Sequence, residues 1–255
     1  MTSNAQYLDF ALDAAWRAGR LALGHYQAGV AVDRKADDTP VTLADRGAEE
    51  LLRRLIGERF PGHTVVGEEH GVTERDSDHR WIIDPIDGTQ SFIRGVPLWG
   101  VLLGLEIAGE VVAGVVNLPA LDELIGAALG AGCRWNGRAA RASSTARLSD
   151  GLLCYTDASS LERHPSGCWP RLRAATRLQR GWSDCYGYVL VATGRAEAMV
   201  DAIVSPWDVA PLPPILRECG GRFSDWDGRE IIDGGNAVAT NGHVHEELLE
   251  VLNAR

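Results

Sequence analysis

The stretch that most constrains this chain is Trp81-Ile82-Ile83-Asp84-Pro85-Ile86-Asp87-Gly88-Thr89. An apolar run that ends abruptly in acids predicts a buried strand whose carboxyl end opens into a site. Pro85 cannot donate a ladder hydrogen bond, so the strand is expected to stop there. Asp84 and Asp87 then bend back towards one point while Ile86 faces away. Two carboxylates converging in a poorly solvated corner repel, and one takes up a proton unless a cation sits between them. Oxygen donors without His or Cys suit a hard ion such as Mg²⁺. Gly88 permits a tight turn, and the amides of Gly88 and Thr89 could face an anion. The plain alternative, a turn with solvated acids, does not explain an apolar strand aimed at them.

Asp84-Pro85-Ile86-Asp87-Gly88-Thr89 resembles the signature of the inositol monophosphatase superfamily, the Mg²⁺-dependent and often Li⁺-sensitive phosphomonoesterases. Gly67-Glu68-Glu69 upstream, and Trp207-Asp208-Val209-Ala210 with Gly220-Gly221 downstream, follow in that family's order. The similarity runs from the Thr39–Asp45 segment to the final helix, and several spaced motifs in order are more specific than any one. It implies a layered α/β (α+β) sugar-phosphatase fold with α-β-α-β-α stacking.

Formal net charge is −10, which argues against nucleic-acid and acidic-membrane partners. A phosphorylated substrate must then be drawn in by local cations, and bound metal is the natural source. Five scattered cysteines without a C-x-x-C pair read as reduced, buried thiols. With no signal pattern and no membrane-length apolar run, the expectation is a cytoplasmic protein.

Helical spacing (Leu8, Leu12, Ala15, Trp16, Leu21, Leu23) predicts a helix over about 4–27. Residues 30–41 should form a mobile loop or hairpin. Thr42 should cap a helix through Arg59, with Asp45 in its first turn. There Asp45 either favours the helix dipole or, by resemblance, reaches a water on the metal. Thr64-Val65-Val66 is a short strand delivering Glu68, and His70–His79 reads as loop. Gln90–Pro97 looks too irregular for an element. Hairpins follow through Ala108-Gly109-Glu110 and Asn136-Gly137. Residues 1–145 thus read as an α+β half carrying the acid motif, with helices against a largely antiparallel sheet. Residues 146–255 alternate strand and helix as an α/β half, including helices at Ser166–Ala175, Tyr186–Ala192 and Trp207–Glu218.

The resemblance implies hydrolysis of a phosphate monoester by water, without a covalent intermediate. Glu68, Asp84, Asp87, Asp208 and the carbonyl of Ile86 would hold two or three Mg²⁺ per subunit. Asp208 could alternatively be only a cap or dipole partner for its helix. Glu68 and Thr89 would orient the water, and Gly88 and Thr89 would cradle phosphate oxygens. Asp201 holds the place of an acid that grips sugar hydroxyls. The run Thr89–Pro97 and the ending Ala237–Gly242 are closer to the histidinol-phosphatase branch, where a Lys is usual at the position of Gln90. There Asp184 or Asp201 could pair with a substrate ammonium, although Asp184 could instead cap the Tyr186 helix. Arg94 either guides phosphate or is an ordinary loop arginine. The reading is a homodimeric histidinol-phosphate phosphatase of histidine biosynthesis. The alternatives are a broad inositol-1-phosphate phosphatase and an inactive regulatory protein on the same scaffold.

Overall fold

The computed structural model describes residues 2–29, 32–34, 40–164 and 167–254. Helix α1 (Asn4–His25) is capped by Ser3 in a reciprocal box with Gln6. Its buried stripe is Leu8, Ala11, Ala15, Ala18 and Ala22, small enough to let the helix lie close on a sheet. Trp16 corrects the predicted apolar face: it sits one step round the helix from that stripe and is 53% exposed. β1 (Val32–Arg34) and β2 (Pro40–Thr42) pair as an antiparallel hairpin, while residues 35–39, Thr39 included, lie outside the described residues. Thr42 caps α2 (Leu43–Arg59), and Asp45 closes the box reciprocally.

Next come β3 (Thr64–Gly67), β4 (Gly71–Thr73), β5 (His79–Asp87), α3 (Thr89–Ile93), β6 (Gly100–Ile107), β7 (Glu110–Leu118), β8 (Glu123–Ala128), β9 (Gly132–Trp135) and β10 (Arg138–Ala139). They build an eight-stranded sheet ordered β10-β9-β8-β7-β6-β5-β3-β4. Only the β3–β5 pairing is parallel among its registers. Ala108-Gly109 and Asn136-Gly137 take the left-handed conformations that two-residue hairpins require.

Three local expectations are corrected here. β5 does not end at Pro85 but runs to Asp87, because the register against β6 slips between Asp84 and Asp87 and the missing amide falls inside that irregularity. β4 occupies part of the stretch expected to be loop, as an exposed edge strand against β3. The stretch after Thr89 forms the short helix α3, whose turn closes on Gly88 O and buries Phe92 beside Ile86 and Trp99.

The rest comprises β11 (Leu152–Tyr155), α4 (Ala158–Arg163), α5 (Trp169–Ala175), β12 (Leu178–Arg180), α6 (Asp184–Ala192), β13 (Ala198–Asp201), α7 (Pro206–Val209), α8 (Leu212–Cys219), β14 (Arg222–Ser224), β15 (Ala237–Thr240) and α9 (His245–Asn253). The five strands are ordered β12-β11-β13-β15-β14. The single helix expected over Trp207–Glu218 is two helices, since Pro211, Pro213 and Pro214 lack the amides that would continue one ladder. Asp157 caps α4, which was not expected. The helix expected from Ser166 begins at Trp169, and Ser166 lies outside the described residues.

Apolar cores join these pieces into α-β-α-β-α layers. Leu52, Ile56, Trp81 and Leu103 fill the space between α1, α2 and the large sheet. Leu102, Val116, Val191 and Leu216 fill the middle layer, where α6 and α8 lie between the sheets. Leu172, Val238 and Leu248 pack α5 and α9 on the far face. The join between α7 and α8 rests on bare backbone: a Cβ on Gly114 would stand 2.1 Å from Pro211 O, and one on Gly104 2.7 Å from Ala210 Cβ. All five cysteines are buried free thiols. Among the described residues, no helix is long and apolar enough to cross a membrane.

Candidate active site

Ligand oxygens of Asp84, Asp87 and Asp208 all lie within 4.8 Å of one another. Each carboxylate is steadied by one backbone amide. Asp84 Oδ1 accepts from Ile86 N at 3.0 Å, within the irregular stretch of β5 around Pro85. Asp87 Oδ2 accepts from Cys185 N at 2.6 Å, so it caps α6 from the other half of the chain. Asp208 Oδ2 accepts from Ser205 N at 2.8 Å, inside a Ser-Pro-Trp-Asp capping box. Asp208 therefore does cap its helix, and it does so while facing the other two acids. Asp84 is 1% and Asp87 9% exposed.

Among the described residues, no Arg or His side chain is paired with any of the three. The electrostatics follow. Burial, then repulsion from Glu68, Asp87 and Asp208, pushes Asp84 well above the usual carboxylate range. Burial, then Asp184 and Asp208, does the same to Asp87. Asp208 is raised to about 7, chiefly by burial and against the pull of the Ser205 amide. A hard divalent cation fits this donor set, because it would replace protons as the counter-charge and accept oxygen ligands alone.

Glu68 follows β3, which is hydrogen-bonded in parallel to β5. The strands are neighbours, and the Glu68 side chain meets that of Asp84. Asp45 takes the capping role in the first turn of α2, and its second oxygen faces Thr89. Its Oδ2 accepts from Thr42 N at 2.8 Å and Thr42 Oγ1 at 2.6 Å, while its Oδ1 lies 3.4 Å from Thr89 Oγ1. Thr89 Oγ1 also stands 3.0 Å from Ile86 O. Burial raises Asp45 against the lowering effect of Thr42.

A pocket of about 50 Å³ opens beside the triad, walled by Asp87, Thr156, Asp184, Tyr188, Asp201 and Asp208. Asp201 is held from within the protein, since Thr156 N (3.2 Å) and Tyr188 Oη (2.6 Å) donate to its two oxygens. Asp184 opens α6 at φ 54°, and Ser183 is the capping position, with no side-chain cap bond. Its Oδ2 accepts from Ser183 Oγ at 2.9 Å, and burial raises it to about 6. A Cβ on Gly88 would stand 3.2 Å from that same oxygen, so glycine leaves the floor of the site open. Arg94 is exposed and donates to Gln90 on its own short helix. A larger crevice of about 610 Å³ lies beyond Trp207, but its Arg80 and Arg217 are already paired with Glu106, Glu110 and Glu230.

The profile of the inositol monophosphatase family matches residues 3–255. The chain belongs to the inositol monophosphatase family. It is 45% identical to a histidinol-phosphatase of Chlorobaculum parvum, over 96% of both chains. It is 40% identical to one of Mycobacterium tuberculosis, over 97% of this chain and 98% of the other. The solved structure of a Thermotoga maritima IMPase superposes with a TM-score of 0.86 at 31% identity, covering 97% of this chain and 96% of that one. The family's layered fold is thus the fold found here.

Several supporting groups escaped the sequence reading: the Cys185 amide, the Ser205 cap and the Tyr188–Asp201 bond. Only Ser205 carried a local signal, since Ser-Pro-Trp-Asp has the spacing of a capping box.

Proposed function

We propose that this family member is a Mg²⁺-dependent phosphomonoesterase whose substrate is L-histidinol phosphate. The observation that carries the catalytic part is the Asp84–Asp87–Asp208 cluster, two buried acids and a half-buried one gathered with no paired Arg or His among the described residues. Asp84, Asp87, Asp208, Glu68 and the Ile86 carbonyl would hold two or three ions. Bound there, Mg²⁺ supplies Lewis acidity and neutralises charge on phosphate oxygens.

The chain's own residues supply the rest. The Thr89 hydroxyl lies between Ile86 O and Asp45 Oδ1, so a proton passed to Asp45 leaves the threonine oxygen able to accept from an attacking water. Asp45 suits that task because burial makes it a better base than an exposed aspartate. Gly88 and Thr89 present backbone amides to the phosphate. The fixed capping bonds on each acid limit reorganisation when the transition state forms.

The substrate assignment rests on the histidinol-phosphatase relatives and on Asp184. With Asp201 already engaged by Thr156 and Tyr188, Asp184 is the wall acid suited to an incoming ammonium, which would favour its ionised form further. Inositol-1-phosphate is the second reading, supported by the Asp201 wall and by a 34% identical inositol-1-monophosphatase of Mesorhizobium japonicum. Phosphate release from both compounds, compared by kcat/KM with and without chelator, tests the assignment. Histidinol phosphate is expected to lead, and Asp184→Asn should lower that lead by about tenfold to a hundredfold. A preference for inositol phosphate would reverse the order. A cytoplasmic homodimer belongs to the same reading, and sedimentation of the purified chain checks the dimer.

A further inference from the structure

Glu49 is fully buried, lies on α2 one turn beyond Asp45, and takes no part in the pocket. Its Oε2 accepts from Glu69 N at 2.7 Å. Its Oε1 accepts from His70 N at 3.1 Å and from Arg53 Nε at 2.7 Å. Arg53 in turn donates to Thr73 Oγ1 at 2.9 Å and to Gly71 O. The carboxylate also occupies the space above Gly67: a Cβ there would stand 2.3 Å from Glu49 Oε1. Gly67 and Glu69 flank Glu68, so one side chain bonds the two amides after it and fills the space above the glycine before it.

We propose that Glu49 is a positioning residue for Glu68, fixing the β3–β4 turn so that the Glu68 carboxylate meets Asp84. A turn between two short strands has little stiffness of its own, and edge strand β4 is exposed throughout. Two amide bonds to a buried, arginine-paired carboxylate remove that freedom, leaving the side chain of Glu68 as the part that extends into the site. The inference rests on the reading that Glu68 helps to hold the catalytic cation. A purely structural ion pair would predict something else, namely lost stability with unaltered metal binding.

The full chain carrying Glu49→Gln separates these. Mn²⁺ binding to chelator-stripped protein by calorimetry should weaken about tenfold or more, and the Mg²⁺ concentration for half-maximal phosphate release should rise in step. Glu68→Gln should weaken Mn²⁺ binding as well, and the double variant should match Glu68→Gln alone, because Glu49 acts through Glu68. Gly67→Ala, which pushes on the same carboxylate from the opposite side, should reproduce Glu49→Gln and serves if that variant does not fold. Parent-like Mn²⁺ binding in Glu49→Gln and Gly67→Ala, with Glu68→Gln impaired, overturns the positioning role alone. Independent, multiplying losses in the double variant overturn it too. Parent-like binding and turnover in Glu68→Gln would remove the metal role of Glu68, and this inference with it.

Discussion

The Asp225 turn and the Asp84–Asp87–Asp208 pocket both bury carboxylates, and they treat them in opposite ways. Asp225 is 1% exposed, and both its oxygens are used: Oδ1 accepts from Asp227 N and Arg229 N, and Oδ2 from the Arg229 guanidinium. Each pocket acid receives a backbone amide on one oxygen and faces other acids instead of a guanidinium. Satisfied carboxylates staple a loop, whereas crowded ones are raised in pKa and await a counter-ion. Burial alone therefore does not mark a functional acid. The missing counter-charge does.

The sharpest way to break this contrast is Asp84→Asn. Phosphate release should fall by about a thousandfold or more, while the chelated protein melts no lower than its parent because a repelled charge is gone. Full turnover at ordinary Mg²⁺ would refute the assignment. Asp225→Asn should do the reverse, lowering Tm by about 5 °C or more through unmet donors while turnover per folded molecule stays put. A loss of activity without a loss of stability there would dissolve the distinction.

Acidity sharpens it further. Unfolded aspartates ionise near 3.8, whereas Asp208 in the folded chain holds its proton to about 7. Between those values the folded state binds more protons, so the metal-free protein loses stability as pH rises through that window. A divalent ion removes the loss by replacing the protons. Melting curves with Mg²⁺ and with chelator should therefore diverge upward from about pH 5 to about pH 8, by roughly 5 °C at the top. His63 and His245, lowered to about 4 by burial, act in the opposite sense and lose stability as pH falls from 6.5. The difference between the two curves cancels them. A gap that closes with rising pH would contradict the picture.

The smallest effect is assigned to Arg94→Ala. Its guanidinium rests on Gln90 at the surface, so kcat/KM should move by about twofold at most. A larger, salt-dependent fall would make Arg94 a phosphate guide after all.

Much of this was legible in the residues themselves. An apolar run ending in Asp-Pro-Ile-Asp is a local pattern, and it located β5 and two of its acids correctly. Hairpins at Ala108-Gly109 and Asn136-Gly137 were equally local, since glycine supplies the second left-handed position of each. Pro85 was misjudged because the lost amide was weighed without the partner strand, whose register slip accommodates it. The Cys185 amide on Asp87 joins positions far apart in the chain, and the Tyr188–Asp201 bond joins a helix to the following strand, so no local spacing could reveal them. Glu49 was half visible: four residues from both Asp45 and Arg53, it shares their helix face, yet its grip on the Glu68 turn is purely tertiary.

Gly104 and Gly114 have a consequence of their own. The segment just after Asp208 sits on them with nothing larger than the Ala210 methyl between, so a single methyl at either place would act as a shim. It would tilt the last acid away from its companions while every acid remained in the sequence. Such a protein would read as an intact enzyme by its motifs and be silent in the test tube.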